Sequence, residues 1–225
     1  MRVKLIAVGT LARETGCLSA TCPNTLDITW LQQKEPTSLL PLSDSLQQAI
    51  DAAEEDGVQY DAIAVAAGLW DVLINGDPEE NISDGVSPIH TERYPLILPR
   101  AHDWITLLLG SKERYREIIS HHDDIWWLTP SGAEQGFLPR TAPACPFSGS
   151  PTALYIKLDG ISQPDEREET QSAARRTRWD YEELTGDLRL LRNLLWGSWN
   201  AEDFLTLSPG QKVRPSFDRH ILEAI

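Results

Sequence analysis

The sequence has few basic residues for its size. Its 225 residues include 20 Lys and Arg against 34 Asp and Glu, which gives a formal net charge of −14 at pH 7. A surface that binds nucleic-acid phosphates or anionic lipids needs clustered Lys and Arg. The deficit therefore argues against a nucleic-acid or membrane-surface protein, and a small molecule is the expected binding partner. No cofactor is indicated by the composition.

Cysteines and long apolar runs are also scarce. The three cysteines, Cys17, Cys22 and Cys145, form no CxxC pair, so neither a disulfide framework nor a thiolate zinc site is indicated. No stretch approaches the roughly 20 apolar residues of a membrane-spanning helix. The start MRVKLIAVGTLARE has too short an apolar run for a signal peptide. We expect a cytoplasmic protein in a reducing compartment.

The common catalytic motifs are absent. The sequence has no Walker loop, GxSxG elbow, HExxH helix or Cys/His nucleophile pairing. His121 and His122 are adjacent, so their side chains point in different directions, and we predict no metal site there. Motifs therefore do not decide the reaction, and the fold has to indicate where a site lies.

Short apolar runs alternate with helical patterns along the chain. This alternation predicts an α/β fold with a mostly parallel sheet and helices on both faces, Rossmann-like, followed by a C-terminal helical and short-strand region. One domain over residues 1–225 is expected, with an irregular connection at about 130–151 and the C-terminal region at 152–225. The first helix is predicted to end at Gly16.

The stretch Tyr94 to Tyr115 shows the most site-like pattern. A short apolar strand ends at Pro99 and Arg100, and a helix begins with His102 and Asp103. The carboxyl end of a parallel strand and the start of the next helix share one sheet edge, where polar ligands bind. The alternative is that Asp103 only caps the helix while Arg100 is solvated.

Two further strands are predicted to end at the same edge. Thr10 and Glu14 follow the first strand, although Glu14 also fits an exposed helix carboxylate. Gly68, Trp70 and Asp71 follow the apolar run at 62–67. Asp71 is a candidate partner for His102 or Arg100 or, alternatively, a helix cap.

These segments resemble one known family. The run YPLILPRAHDWITLLLGSKERY is similar to PLVIPRAHDCITLLLGSRERY, the usual pattern in the family called domain of unknown function sixteen-thirty-eight. KLIAVGTLARE, AGLWDVLING and the GDLRLL and PGQKV segments are similar to it as well. The resemblance implies an α/β protein. Because genes of this family often neighbour those for corrinoid-dependent methyl transfer, it also suggests an association with methyl transfer.

The chain lacks the three cysteines of the family pattern. Val8, Trp70 and Trp104 stand where those cysteines are usual. In the family the resemblance implies a soft-metal or redox site built from these thiolates. In this chain that route is lost, and the two tryptophans would line the pocket with aromatic surface.

The leading hypothesis is that a small polar or anionic ligand binds at the carboxyl edge of the sheet. His102 would be the acid or base if the site is catalytic, oriented by Asp103 or Asp71, and Arg100 would anchor an anion. The remaining expected ligand-binding residues are Glu14, Thr10, Gly68, Trp70 and Trp104.

Two alternatives come from other classes of protein. One is a non-catalytic partner subunit of an active family member or of a corrinoid methyl-transfer system. The other is a metal-dependent enzyme whose site is rebuilt from histidines and carboxylates, namely His90, His102, Asp71 and Glu14. Whether the chain is an enzyme is left open by the sequence.

Overall fold

A five-stranded sheet forms the centre of the protein. The computed structural model describes residues 1–31, 42–68, 89–122, 124–134, 151–216 and 218–225. The sheet has the strand order β2-β1-β3-β4-β8, and only β8 is antiparallel to its neighbour. Its strands are β1 (Arg2–Val8), β2 (Thr25–Leu31), β3 (Ala62–Ala66), β4 (Leu96–Pro99) and β8 (Phe204–Leu207). The predicted α/β class and mostly parallel sheet are confirmed.

The central strands are apolar because they are covered on both faces. Every residue from Val3 to Val8 is buried except for the tip of Lys4, and β3 is buried throughout. A parallel sheet with both faces covered favours such continuous apolar runs. The helices that pack around it are α1 (Ala12–Ser19), α2 (Ser43–Glu55), α3 (Trp104–Leu109), α4 (Lys112–Ser120) and α7 (Arg189–Trp196).

The strand order reverses direction between β1 and β3. The chain runs from β1 outward to β2, crosses to the other side of β1 to form β3, and continues to β4. With right-handed crossovers, consecutive connections leave the sheet on opposite faces, so the topological switch point lies between the carboxyl ends of β1 and β3, where a crevice is expected. Ligands of open α/β sheets bind in such crevices.

Three later strands form a sheet of their own. Strands β5 (Ile125–Leu128), β6 (Thr152–Lys157) and β7 (Asp180–Thr185) are parallel in the order β5-β6-β7. Helix α5 (Pro130–Glu134) follows β5 and contacts α1, and helix α6 (Pro164–Thr177) connects β6 to β7. Through α5, the carboxyl edge of this sheet meets the carboxyl end of β1.

The C-terminal residues add a small antiparallel pair. Strands β9 (Val213–Pro215) and β10 (Leu222–Ala224) pair with each other, and β10 also contacts β8. The short-strand region expected at the C terminus is therefore present.

One helix boundary differs from the prediction. Helix α1 continues to Ser19, so Gly16 lies inside it instead of ending it. Gly16 is not among the glycines with positive φ, the conformation that favours glycine at a helix end. By contrast, Gly110 has φ +80° and separates α3 from α4.

Of the helices that the structure describes, none combines the length and the apolar character needed to cross a lipid bilayer.

Candidate functional site

The described site candidates lie along the carboxyl edge of the large sheet. Thr10 belongs to a 3-10 turn (Gly9–Leu11) directly after β1, Gly68 follows β3, and His102 follows β4. Neighbouring strands are about 5 Å apart, so the β1 and β4 ends are separated by roughly 10 Å. Trp70 and Asp71 lie outside the described residues. Glu14 therefore lies near the end of β1, and His102 lies near the end of β4, at two separate places along this edge.

Gly68 allows the β3 and β4 ends to meet. A Cβ atom placed on Gly68 would lie 2.2 Å from the Cα of Asp103 and 2.4 Å from its backbone nitrogen. These distances are far below van der Waals contact, so only glycine permits this approach. The glycine is thus a spacer that holds the start of α3 against the end of β3.

Asp103 acts as the N-cap of α3. Its Oδ1 accepts a hydrogen bond from the backbone amide of Thr106 at 3.1 Å, and its Oδ2 accepts one from the hydroxyl of Tyr115 at 2.8 Å. Burial raises the pKa of this carboxyl, and the hydrogen bonds from Tyr115 and Thr106 oppose the rise. No hydrogen bond joins Asp103 to His102 in the described structure. The contacts of Asp103 are those of a helix cap, which is the alternative that the sequence left open.

Replacing Asp103 by alanine is expected to lower the free energy of unfolding by about 2 kcal/mol, because it removes both a helix cap and the acceptor of the Tyr115 hydroxyl. Urea unfolding measures the change. Ser111→Ala removes only the cap bond to the Arg114 amide and serves as the control, with an expected loss of about 1 kcal/mol. Equal losses for the two variants would contradict this assignment.

His102 is held in its neutral form. Its ring stacks on Tyr115, with 5.3 Å between ring centroids, and its Nε2 accepts a hydrogen bond from Nε of Arg116 at 3.1 Å. Burial, followed by the charges of Arg116 and Lys112, lowers the pKa of His102. With Nε2 as acceptor, the neutral ring has its proton on Nδ1. At neutral pH, His102 therefore offers a hydrogen-bond donor and no charge.

Arg100 binds the C-terminal segment. Its guanidinium donates to the backbone carbonyls of Ala201 at 3.0 Å, His220 at 2.9 Å and Leu222. Burial lowers the pKa of this arginine. These hydrogen bonds connect the end of β4 to the C-terminal segment, so the observed role of Arg100 is structural. No anion is needed to account for them.

Glu14 is the most unusual of the candidates. Its side chain is completely buried in the first turn of α1, and neither carboxylate oxygen has a hydrogen bond of normal geometry in the described structure. Burial raises the pKa of Glu14 to about 7, although the backbone amides of Glu14 and Ser131 and the charge of Arg13 act in the opposite direction. The carboxyl is therefore poised between its two protonation states near neutral pH.

Two hydroxyls near Glu14 in the sequence are also without partners. The hydroxyls of Thr10 and Thr15 are buried and have no hydrogen-bond partner in the described structure. Thr10 lies four residues before Glu14, in the 3-10 turn that leads into α1 and contacts it. Buried polar groups are rarely left unpaired, so such a group requires an explanation.

A rebuilt metal site would require His90, His102, Asp71 and Glu14 to lie close together. His90 lies before β4, where its backbone amide donates to Gln47 at 3.0 Å and it forms an isolated bridge with Lys212, whereas His102 follows β4. Strand β4, which has four residues and spans roughly 13 Å, lies between the two histidines along the chain. Among the described residues, no three His, Cys, Asp or Glu side chains are close enough to hold a metal ion. Asp71 lies outside those residues.

The model of the family "Protein of unknown function (DUF1638)" matches residues 35–195, well over half of the chain. The chain belongs to the DUF1638 family. Comparisons with curated proteins and with solved structures give no match. Within the DUF1638 match lie Gly68, His102 and Asp103, whereas Thr10 and Glu14 precede it.

The structure also locates two positions at which cysteine is usual in DUF1638 proteins according to the resemblance. Val8 is the last residue of β1, and Trp104 is the first residue of α3, where it packs half-buried against the main core. Both positions therefore lie at the carboxyl edge of the sheet. Trp70, the third, lies outside the described residues.

Proposed function

We propose that this protein binds a small polar ligand in the crevice at the carboxyl ends of β1 and β3, and that Glu14 exchanges a proton with that ligand. The observation that supports the proposal is the fully buried Glu14 carboxyl, which has no normal hydrogen bond in the described structure. A buried carboxyl without a hydrogen bond of normal geometry lowers the stability of the fold. Such a loss of folding stability is typical of functional sites, where groups with perturbed pKa values are kept because they take part in binding or catalysis.

The chemistry follows from the protonation state. At neutral pH, a carboxyl whose pKa is about 7 is protonated in about half of the molecules and ionised in the other half. The protonated form can donate a proton, and the ionised form can accept one. General acids and bases work best when their pKa is near the operating pH. Glu14 is therefore suited to proton transfer, whereas the neutral His102 is suited to donating a hydrogen bond from the β4 side of the edge.

The position supports the same role. Glu14 and Thr10 follow β1, one of the two strands that flank the point at which the strand order reverses. Open α/β sheets bind their ligands at this edge, which supports a ligand-binding role for Glu14. Arg100, which the sequence indicated as an anion anchor, has its guanidinium bonded to backbone carbonyls, so the proposed site does not depend on it.

A thermal-shift screen of small polar metabolites tests the proposal. Three proteins are compared: the natural chain, Glu14→Gln, and Glu169→Gln as a control that removes the same charge from an exposed position of α6. The expected result is a compound that stabilises the natural chain and Glu169→Gln but not Glu14→Gln. Compounds that act equally on all three proteins, or a screen without any Glu14-dependent compound, would contradict the proposal.

A further inference from the structure

The charges around Glu14 are already paired with one another. Arg13 is the cation whose charge acts on Glu14, yet its guanidinium pairs with Glu166, donates to the carbonyl of Ile161 at 2.6 Å and lies 3.8 Å from Glu134. Glu134, in α5, adds negative charge and raises the pKa of Glu14 further. In the described part of the chain, no ion pair neutralises Glu14.

The hydrogen-bonding groups around Glu14 favour a donor. The ionised carboxylate and the lone pairs of the Thr10 hydroxyl accept hydrogen bonds, and neither group has a hydrogen bond of normal geometry in the described structure. Thr15, the next residue along α1, has a buried hydroxyl in the same condition. A group with several N–H donors would bind to such a set of acceptors.

We infer that the ligand of this crevice contains a positively charged nitrogen, a primary or secondary ammonium group that binds between the carboxylate of Glu14 and the hydroxyl of Thr10. The inference rests on the proposed function and specifies its ligand class. An ammonium group would supply the missing positive charge and donate to both acceptors. An anion would be repelled by Glu14 and Glu134 and by a chain of net charge −14.

The inferred binding step includes a proton. When the ammonium ion meets a protonated Glu14, the carboxyl O–H bond breaks, its proton leaves to solvent, and the ammonium pairs with the resulting carboxylate. Binding therefore releases a proton below about pH 7 and releases none well above it. The titratable side chains that face this group are Arg13 on α1 and Glu134 on α5.

The test is an NMR titration of Glu14, observed through its side-chain ¹³C carboxyl signal in the full chain. Three probes are compared, namely ethylammonium chloride, ethanol and sodium acetate. Saturating ethylammonium is expected to lower the pKa of Glu14 by about one unit, because an adjacent cation favours the carboxylate. Ethanol and acetate are expected not to lower it.

Two variants make the assignment specific. Thr10→Val keeps the shape of a buried side chain without the hydroxyl, and it is expected to weaken ethylammonium binding roughly five-fold, the effect of one lost hydrogen bond. Glu169→Gln is expected to bind as tightly as the natural chain. A Glu14 pKa that ethylammonium leaves unchanged would overturn the inference, as would equal binding by Thr10→Val and the natural chain.

The ligand inference and the proposed function fail in different ways. If the metabolite screen yields a Glu14-dependent ligand that is neutral or anionic, the ammonium inference is wrong and the proposed function stands. If Glu14 titrates at its ordinary pKa without any probe, the proposed function itself loses its support.

Discussion

Replacing Glu14 by glutamine is expected to increase the free energy of unfolding by about 3 kcal/mol at pH 8. The folded protein raises the pKa of Glu14 from 4.5 to about 7, and each unit of difference corresponds to about 1.4 kcal/mol. Glutamine has a similar shape and no charge, so it removes the cost of keeping a carboxylate buried without a partner. Few substitutions of a buried polar residue are expected to stabilise a protein.

The stability gained by Glu14→Gln is expected to increase as the pH rises. Because the folded-state pKa is above the unfolded value, the contribution of Glu14 to stability is fully present below about pH 4.5 and is lost as the pH rises through about 7. The variant therefore gains little at pH 4 and the full amount at pH 8. Urea unfolding at both pH values measures this gain.

The exposed Glu169→Gln variant is the matched control for charge removal, and its stability should change by less than about 0.5 kcal/mol at either pH. A Glu14→Gln protein that is less stable than the natural chain at pH 8 would mean that the carboxylate has a stabilising partner. In that case Glu14 would be a structural residue.

Replacing Gly68 by alanine is expected to lower the free energy of unfolding by about 3 kcal/mol or more. The added Cβ would lie between 2.2 and 2.5 Å from three backbone atoms of Asp103, and a backbone cannot rotate away as a side chain does. The ends of β3 and β4 would have to separate, at the cost of overpacking a tight core. Chemical denaturation measures the loss.

The same substitution at Gly16 provides the control. Gly16 is an exposed residue inside α1, and a Cβ atom placed on it would have no neighbouring atom within 4 Å beyond its own helix backbone. Alanine there is expected to stabilise the protein by about 1 kcal/mol through its higher helix propensity. A Gly68→Ala protein as stable as Gly16→Ala would contradict the close approach of Gly68 and Asp103.

Much of the fold could be predicted from the sequence because its strands are strongly patterned. The runs that became β1, β3 and β4 are continuous and apolar, and they are buried in the structure. Strand β7 has the sequence DYEELT and is largely exposed at a sheet edge, so it lacks this signal. The separation into two sheets could not be predicted either, because the strand patterns do not show which strands pair.

The site was predicted less completely, because contacts between distant residues decide it. Arg100 looked like an anion anchor, but its partners lie more than 100 residues away in the sequence. Asp103 could be interpreted as a cap from its place before an apolar helix, and the structure shows that cap. The sequence favoured an exposed helix carboxylate at Glu14, and this interpretation was wrong because the packing of α1 against α5 and other elements buries the side chain.

The central claim is that Glu14 is a buried carboxyl kept near its protonation midpoint at the carboxyl edge of the sheet. A ¹³C NMR pH titration of the ligand-free chain, with the signal assigned through Glu14→Gln, tests it most directly. We predict a pKa of about 7 for this carboxyl. A value near the ordinary pKa of glutamate, about 4.3, would contradict the account, because it would show a carboxylate that is solvated or already paired.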